Sequence, residues 1–276
     1  MSLEIERETS SRISSDVPFL ASLWIIGGVY IILILSLLIA DASYSTPSHF
    51  LKALQSKEIR YAIKLSLISC TMAAILSLWV AIPIGYLMSR YNFRGKIFFD
   101  AILDIPIVLP PLVIGLSLLI LFQTPIGRAI ESKVTITYGI PAVILAQFMV
   151  ACAFAVRAMR VSFDQLDPRQ EQVALTLGCN RNQAFWLVVL PEVRHGILTA
   201  ATLAWSRSLG EFGPILIFAG ATRMRTEVLP TTVFLELSIG NIESAVAVSL
   251  LMVFAAVIVL IIVRIYGLKG AIKFHR

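Results

Sequence analysis

The sequence predicts an all-α membrane protein with six transmembrane helices. Its composition is 58% apolar and 14% charged, and the mean hydropathy is +0.85, whereas soluble domains carry about 25% charged residues. Its long uncharged runs each contain at least 20 residues, enough for a helix to cross roughly 30 Å of hydrocarbon. A large soluble helical core would need polar outer faces on its helices, and most of these segments have none.

Five uncharged runs and one interrupted run account for the six spans. The uncharged runs are Val17–Ala40, Leu65–Ser89, Ile105–Gly127, Val134–Val156 and Ser244–Val263. A sixth span is predicted within 194–222, although Arg207 and Glu211 interrupt it. The first run is long for the apolar part of a secretory signal, and "IADAS" is a poor cleavage site, so we treat it as a span. The predicted spans of the domain 19–265 are about 19–40, 62–89, 103–125, 137–160, 194–220 and 244–265.

The basic residues predict the orientation. Of the 23 Lys and Arg, 14 lie in 1–18, 89–100, 157–194 and 264–276, and seven lie in the alternate loops 41–60, 124–137 and 220–243. Because cytoplasmic loops carry the excess of Lys and Arg, we expect a cytoplasmic N-terminal segment 1–18, a cytoplasmic loop 161–193 and a cytoplasmic tail 266–276. The net charge of +6 is then mainly a topology signal. No basic cluster with interleaved aromatic residues predicts nucleic-acid binding.

The loop 161–193 contains two helix starts between two long apolar segments. In "DPRQEQVALTLG", Asp167 can cap a helix, Pro168 suits its first position and Gly178 suits a left-handed stop. Asn180 with Gln183 forms the pattern of a second capping box, ahead of Phe185 and Trp186, which suit a membrane interface. From the residues alone, an amphipathic hairpin resting on the membrane surface fits as well as any docking role.

The spacing in this loop resembles the EAA motif of permease subunits in binding-protein-dependent ABC importers: EAA, three residues, Gly, nine residues, then I-x-L-P. Here the triplet is Gln172, Val173 and Ala174, Gly178 follows "LTL", and "VVLP" ends at Pro191. The triplet departs from the motif at its first two positions, and Glu171 lies one residue earlier. The resemblance implies a coupling helix that docks on a cytoplasmic ATPase. The implied coupling residues are Asp167, Pro168, Arg169, Glu171, Gln172, Val173, Ala174, Leu175 and Gly178.

In this interpretation, apolar side chains of the coupling helix, Leu177 among them, contact the ATPase. Ala174 and Gly178 allow close approach of the backbone, and Arg169 and Glu171 lie at the polar rim.

The resemblance also implies a type I importer permease fold and a set of partners. The chain has no GxxxxGK[ST] loop to hold phosphates, so no catalytic residue, cofactor or metal site is predicted in it. ATP and Mg would be bound by two partner ATPase subunits. A second permease copy would complete the pathway as a homodimer, with a heterodimer as the alternative. An extracytoplasmic binding protein would deliver the substrate, and the location would be a prokaryotic cytoplasmic membrane, in contact with its lipid.

Two further stretches resemble permeases for molybdate and tungstate, with sulfate permeases close behind: "LDIPIVLPPLVIGLSLL" and "RSLGEFGPILIFAGATRMRTEVLPTTVF". The first contains Pro110 and Pro111, which predict a kink or a late helix start. That break either faces the translocation path or only marks the entrance of the third span. The second contains Arg207 and Glu211, four residues apart and costly at mid-bilayer unless paired or wet. They either serve a passing dianion or form a structural ion pair.

Two other functions compete with an importer permease. An intramembrane enzyme would need a constellation such as Ser with His or H-E-x-x-H, and His49, His195 and His275 have none of these spacings. A secondary transporter or channel would need no ATPase. It would also tolerate replacement of the coupling loop by a flexible linker.

Overall fold

The computed structural model describes residues 16–44 and 47–272, with side chains for 19–44 and 50–261, and these residues form helices without a strand. The predicted all-α class is confirmed. Most of the predicted N-terminal segment 1–18 and the last four residues of the tail lie outside the described residues. The helices are α1 (Asp16–Tyr44), α2 (Pro47–Gln55), α3 (Lys57–Arg90), α4 (Lys96–Val108), α5 (Pro111–Gln123), α6 (Pro125–Glu131), α7 (Ile140–Asp164), α8 (Pro168–Thr176), α9 (Arg181–Glu192), α10 (Arg194–Leu209), α11 (Gly213–Phe218), α12 (Leu229–Ser238) and α13 (Ile242–Ile272).

Helices α3 and α7 form the centre of the molecule, and small side chains bring them close together. A Cβ placed on Gly85 of α3 would lie 2.8 Å from Cβ of Met159 on α7. Helix α10 joins this pair, since the buried Gln147 of α7 donates to the carbonyl oxygen of Ser208 at 3.2 Å. Close packing and interhelical hydrogen bonds are the forces that associate helices in lipid. The buried positions of α3 are mostly small: Ala62, Ser66, Ser69, Cys70, Ala73, Ala74, Ser77, Ala81 and Gly85.

Helix α1 contrasts with this centre, because every described side chain in it is at least partly exposed. Trp24 and Ile26, for example, are 79% and 70% exposed. Such an apolar surface is unfavourable in water. In a bilayer it is favourable, and a helix also satisfies its backbone hydrogen bonds internally there.

Within the described residues, four helices are long and apolar enough to cross a membrane alone: α1, α3, α7 and α13. Each overlaps one predicted span, and α7 begins at Ile140 where the prediction began at 137. Helix α13 extends to Ile272, seven residues beyond the predicted end of the sixth span at 265, so the helix continues into the segment predicted as a tail.

The other two crossings are possible only as bent pairs. Helices α4 and α5 meet at 110°, and α9 and α10 meet at 70°. The predicted third span, 103–125, is therefore not one continuous helix. The predicted fifth span, 194–220, is interrupted after Leu209, and the bent pair begins earlier, at Arg181. Pro110 and Pro111 explain the 110° bend, because each lacks a backbone donor. The 70° bend lies at Val193, two residues after Pro191. Gly210, Gly213 and Pro214 lie at the separate interruption after Leu209, where the glycines weaken the helix and the proline lacks a donor.

Candidate functional site

Helix α8 forms with the caps that the sequence predicts. The Asp167 side chain accepts a hydrogen bond from the backbone N–H of Arg169 at 2.9 Å, and Pro168 occupies the first turn. Gly178 has φ +94° with open space around it, a conformation that glycine adopts at little cost after a helix. The predicted capping box of α9 is also confirmed, since Asn180 and Gln183 bond reciprocally at 2.8 and 2.9 Å.

One face of α8 is turned away from the rest of the chain. Arg169, Val173 and Leu177 are all exposed and follow one another at four-residue intervals, with Leu177 80% exposed. Residues four apart lie on one side of a helix, so these three form a stripe that we call the outer stripe. Gln172 is exposed beside it. The capped helix thus presents two exposed apolar side chains, Val173 and Leu177, beside the charged Arg169. Such a surface suits contact with a second protein.

The opposite face of α8 lies against the protein itself. Ala174 is buried, and Leu175 is partly covered. The Tyr86 hydroxyl donates to Oε1 of Glu171 at 2.6 Å, and Nε of Arg90 lies 3.7 Å from Oε2. The expectation of Glu171 at a polar rim and of Ala174 in close approach to a partner is therefore corrected: both side chains face inward, toward their own chain.

Two breaks in the chain lie against each other. Pro110 precedes α5 and Pro111 opens it, so the prolines combine the predicted kink with a late helix start. A Cβ on Gly213, at the start of α11, would lie 3.1 Å from the backbone N of Leu112, and a Cβ on Gly115 would lie 2.7 Å from Cα of Pro214. The starts of α5 and α11 thus touch through backbone atoms.

Arg207 and Glu211 form an ion pair beside the second break. Nη2 of Arg207 lies 3.4 Å from Oε2 of Glu211, and the guanidinium carbon lies 5.5 Å from the ring centre of Phe154. The two side chains differ in exposure, 35% for Arg207 and 2% for Glu211. Phe154 also lines an open groove of about 680 Å³ between α7 and α10. The structure therefore groups Arg207, Glu211 and the prolines at the broken helices, apart from α8.

Sequence reasoning missed a cluster of ion pairs that joins α4 to α7. Nε of Arg157 donates to Oδ1 of Asp104 at 2.7 Å, and Arg160 bonds to Asp100. Helix α4 buries none of its residues, so these pairs are its main polar attachment to α7. The signal was visible as two aspartates four residues apart on α4 and two arginines three apart on α7.

A buried carboxylate under the loop before α12 was also missed. Glu227 is fully buried, and within the described part of the chain neither carboxylate oxygen has a hydrogen-bond partner at normal geometry. The hydroxyls of Thr231 and Thr232 instead donate to the carbonyl of Val228, at 2.8 and 3.0 Å. Burial raises the pKa of Glu227 above the usual value of 4.5, although Thr232 and Arg223 partly oppose this. Glu236, by contrast, accepts from Arg223 and Asn241.

Comparison with known families gives these features a context. Residues 81–268 match the family described as "Binding-protein-dependent transport system inner membrane component". The chain belongs to this family. It is therefore a multi-pass membrane permease subunit of an ABC importer, as the EAA motif indicated.

Individual relatives cover most of the chain. The sulfate transport system permease protein CysT of Salmonella typhimurium is 29% identical over 233 residues, which are 83% of this chain and 84% of the relative. A probable molybdenum ABC transporter permease of Haloferax volcanii is 33% identical over 202 residues, 73% of each chain. A solved bacterial alginate ABC transporter superposes with a TM-score of 0.72 at 17% identity, covering 92% of this chain and 94% of that one. This likeness confirms the type I permease fold.

Proposed function

We propose that two copies of this chain form the translocation pathway of an ABC importer for molybdate or tungstate. Two ATP-binding subunits would dock at the two α8 helices, and a binding protein outside the membrane would deliver the anion. The observation that carries the proposal is α8 itself: a helix capped at both ends whose outer stripe is exposed to the surroundings of the chain.

The geometry of α8 supports a mechanical role. A short helix isolated in water is marginally stable, but the caps and the inward contacts of Glu171 hold this one in place. ATP and Mg would be held by the partner subunits, since this sequence has no phosphate-binding loop. When ATP draws those subunits together, both α8 helices move with them. The permease pair then changes from inward-open to outward-open, as alternating access requires.

The names of the relatives support an oxyanion substrate. Several relatives named for molybdenum, molybdate or tungstate transport are 32–37% identical, and the sulfate permeases are 28–29% identical over longer stretches. All three anions are tetrahedral dianions, so one pathway could pass any of them. Sulfate is the second candidate because the sulfate permeases cover more of the chain.

The docking proposal is tested by Gly178→Asp, with Gly240→Asp as its matched control. Both glycines have positive φ, +94° and +79°, open space around them and a place just after a helix, so the local strain is alike. If α8 docks on an ATPase, Gly178→Asp abolishes co-purification or coupled ATP hydrolysis with the ATPase encoded beside it, and Gly240→Asp leaves both intact. If Gly178→Asp co-purifies with the ATPase and supports coupled ATP hydrolysis as well as Gly240→Asp does, α8 is not the docking site.

The substrate is tested by uptake into proteoliposomes that contain the complete complex and its binding protein. Radiolabelled molybdate is supplied with excess unlabelled tungstate or sulfate. Competition by tungstate but not by sulfate supports the proposal. Uptake of sulfate with no competition by molybdate would make this a sulfate permease, and the coupling mechanism would be unaffected.

A further inference from the structure

Glu171 contacts two residues of the long helix α3, Tyr86 and Arg90. Among the described residues, it is the charged side chain that links α8 to α3. Its side chain is 13% exposed, and that of Arg90 is 11% exposed. The Tyr86 hydroxyl donates to Glu171 at 2.6 Å, and Nη2 of Arg90 donates to the carbonyl oxygen of Leu166, just before α8, at 2.9 Å. Hydrogen bonds to an ionised carboxylate are among the stronger ones in proteins.

Tyr86 is itself held by aromatic neighbours from three directions. Its ring centre lies 4.8 Å from that of Phe185 on α9, 5.6 Å from that of Phe163 on α7 and 6.2 Å from that of Tyr91. All three arrangements are edge-to-face, which aromatic pairs favour. The hydroxyl of Tyr86 therefore has a fixed position at the point where α3, α7, α8 and α9 meet.

We infer that Glu171 is a positioning residue that fastens the coupling helix α8 to α3 through Tyr86 and Arg90, so that a displacement of α8 is passed to α3. The inference rests on the proposed docking of an ATPase at α8. It gives the two faces of α8 separate tasks. The outer stripe of Arg169, Val173 and Leu177 receives the partner, and Glu171 transmits the movement.

Helix α3 is suited to receive that movement. It contains 34 residues and is thus about 50 Å long at 1.5 Å per residue, enough to reach from one membrane face to the other. Its other end is attached to the loop before α12, since the Tyr61 hydroxyl donates to the carbonyl of Arg225 at 3.1 Å. Apart from Glu171, α8 is attached to its own chain through the buried Ala174, the partly covered Leu175 and its chain ends.

The test uses Tyr86→Phe, Glu171→Gln and the double variant. Tyr86→Phe removes the hydroxyl and keeps the ring contacts, and Glu171→Gln removes the charge and keeps the shape. Asp164→Asn is the matched control. Asp164, like Glu171, is a carboxylate on the predicted cytoplasmic side, but it pairs with Arg160 of its own helix α7, at 3.8 Å. Two measurements are made: hydrogen exchange of the amides of α8 in the purified permease, and anion transported per ATP hydrolysed by the whole complex, with molybdate and sulfate as parallel probes.

We expect both single variants to bind the ATPase as the wild type does. Transport per ATP falls about fivefold or more, the lower end of typical coupling between sites, and exchange in α8 accelerates by a similar factor. The double variant loses less than the sum of the two single effects, because both changes weaken the same contact. Asp164→Asn behaves as the wild type.

Other outcomes overturn the inference. Unchanged exchange in both variants would show that the contact does not hold α8. Faster exchange with unchanged transport per ATP would show that it holds the helix without transmitting movement. If the wild type binds no ATPase at all, the proposed function fails, and the exchange measurement still decides whether Glu171 fastens α8 to α3.

Discussion

Arg207 and Glu211 are joined by an ion pair, yet their surroundings are unequal. Glu211 is enclosed by protein, whereas about a third of the Arg207 side chain is open and lies over the ring of Phe154, at the edge of the groove between α7 and α10. A guanidinium partly neutralised by a carboxylate offers a dianion a weak positive site. Weak attraction suits a pathway, because the anion must also leave.

Exchanging the two charges tests this asymmetry. In the variant Arg207→Glu with Glu211→Arg, the pair is preserved but the more exposed of the two positions now carries a carboxylate. We expect anion uptake to fall about tenfold or more, equivalent to ~1.4 kcal/mol, measured in proteoliposomes with the folded complex. Arg207→Lys, which retains the positive charge, keeps most of the uptake. Normal transport by the exchanged protein would reduce the pair to a structural role.

Glu227 gives a pH dependence whose sign follows from its burial. Its pKa is higher in the folded protein than the usual 4.5, so the folded state binds more protons between these two values. Stability must then decrease as pH rises from about 4.5 through the raised pKa, because burial penalises the charged form of Glu227.

Glu227→Gln removes this titration. We expect the variant to unfold at a higher temperature than the wild type at pH 8 and to lose the difference toward pH 4.5, in thermal unfolding of the purified permease. Glu236→Gln provides the contrast, because it breaks the bonds to Arg223 and Asn241 and destabilises the protein at both pH values. The argument would be contradicted if the difference in unfolding temperature between Glu227→Gln and the wild type were the same at pH 8 and at pH 4.5.

At the scale of helices, the sequence predicted the helix ends, which depend on local capping residues. It did not predict the bend angle or the inward direction of Glu171, which depend on tertiary contacts. Asp167, Pro168 and Gly178 set the ends of α8 through local chemistry, and the structure reproduces both ends. The 110° bend at Pro110 and Pro111 was expected only as a kink, because its size depends on how α5 packs on α11. The inward direction of Glu171 could not be predicted, since its partner Tyr86 is 85 residues away.

The packing of α3 on α7 makes a direct prediction. Gly85→Ala places a methyl group 2.8 Å from Cβ of Met159 and 3.0 Å from the backbone N of Arg160. Overpacking of this kind costs about 1–3 kcal/mol, so thermal unfolding should occur at a lower temperature. Gly28→Ala in α1 is the control, because a Cβ there meets nothing within 4 Å. Equal stability of the two variants would mean that α3 and α7 can separate without cost.

At the scale of the whole molecule, α3 connects two distant regions, the coupling helix α8 and the start of α12. One end holds α8 through Tyr86 and Arg90. Toward the other end, Ser66 accepts a hydrogen bond from the backbone N of Leu229, at the start of α12, at 2.8 Å. A single continuous helix that contacts both regions gives the alternating-access proposal a physical link between its two sides.

That link requires α8 and α12 to lie on opposite faces of the membrane. Leu177 and Ile239 are matched positions for testing this: both are exposed and apolar, and each directly precedes a glycine with positive φ. With the three native cysteines replaced by alanine, Leu177→Cys should react with a membrane-impermeant maleimide only in inside-out vesicles. Ile239→Cys should react only in right-side-out vesicles. The reverse pattern would put α8 beyond the reach of a cytoplasmic ATPase. Labelling of both from one side would mean that the bent pair α9 and α10, which meet at 70°, folds back as a re-entrant element instead of crossing the membrane.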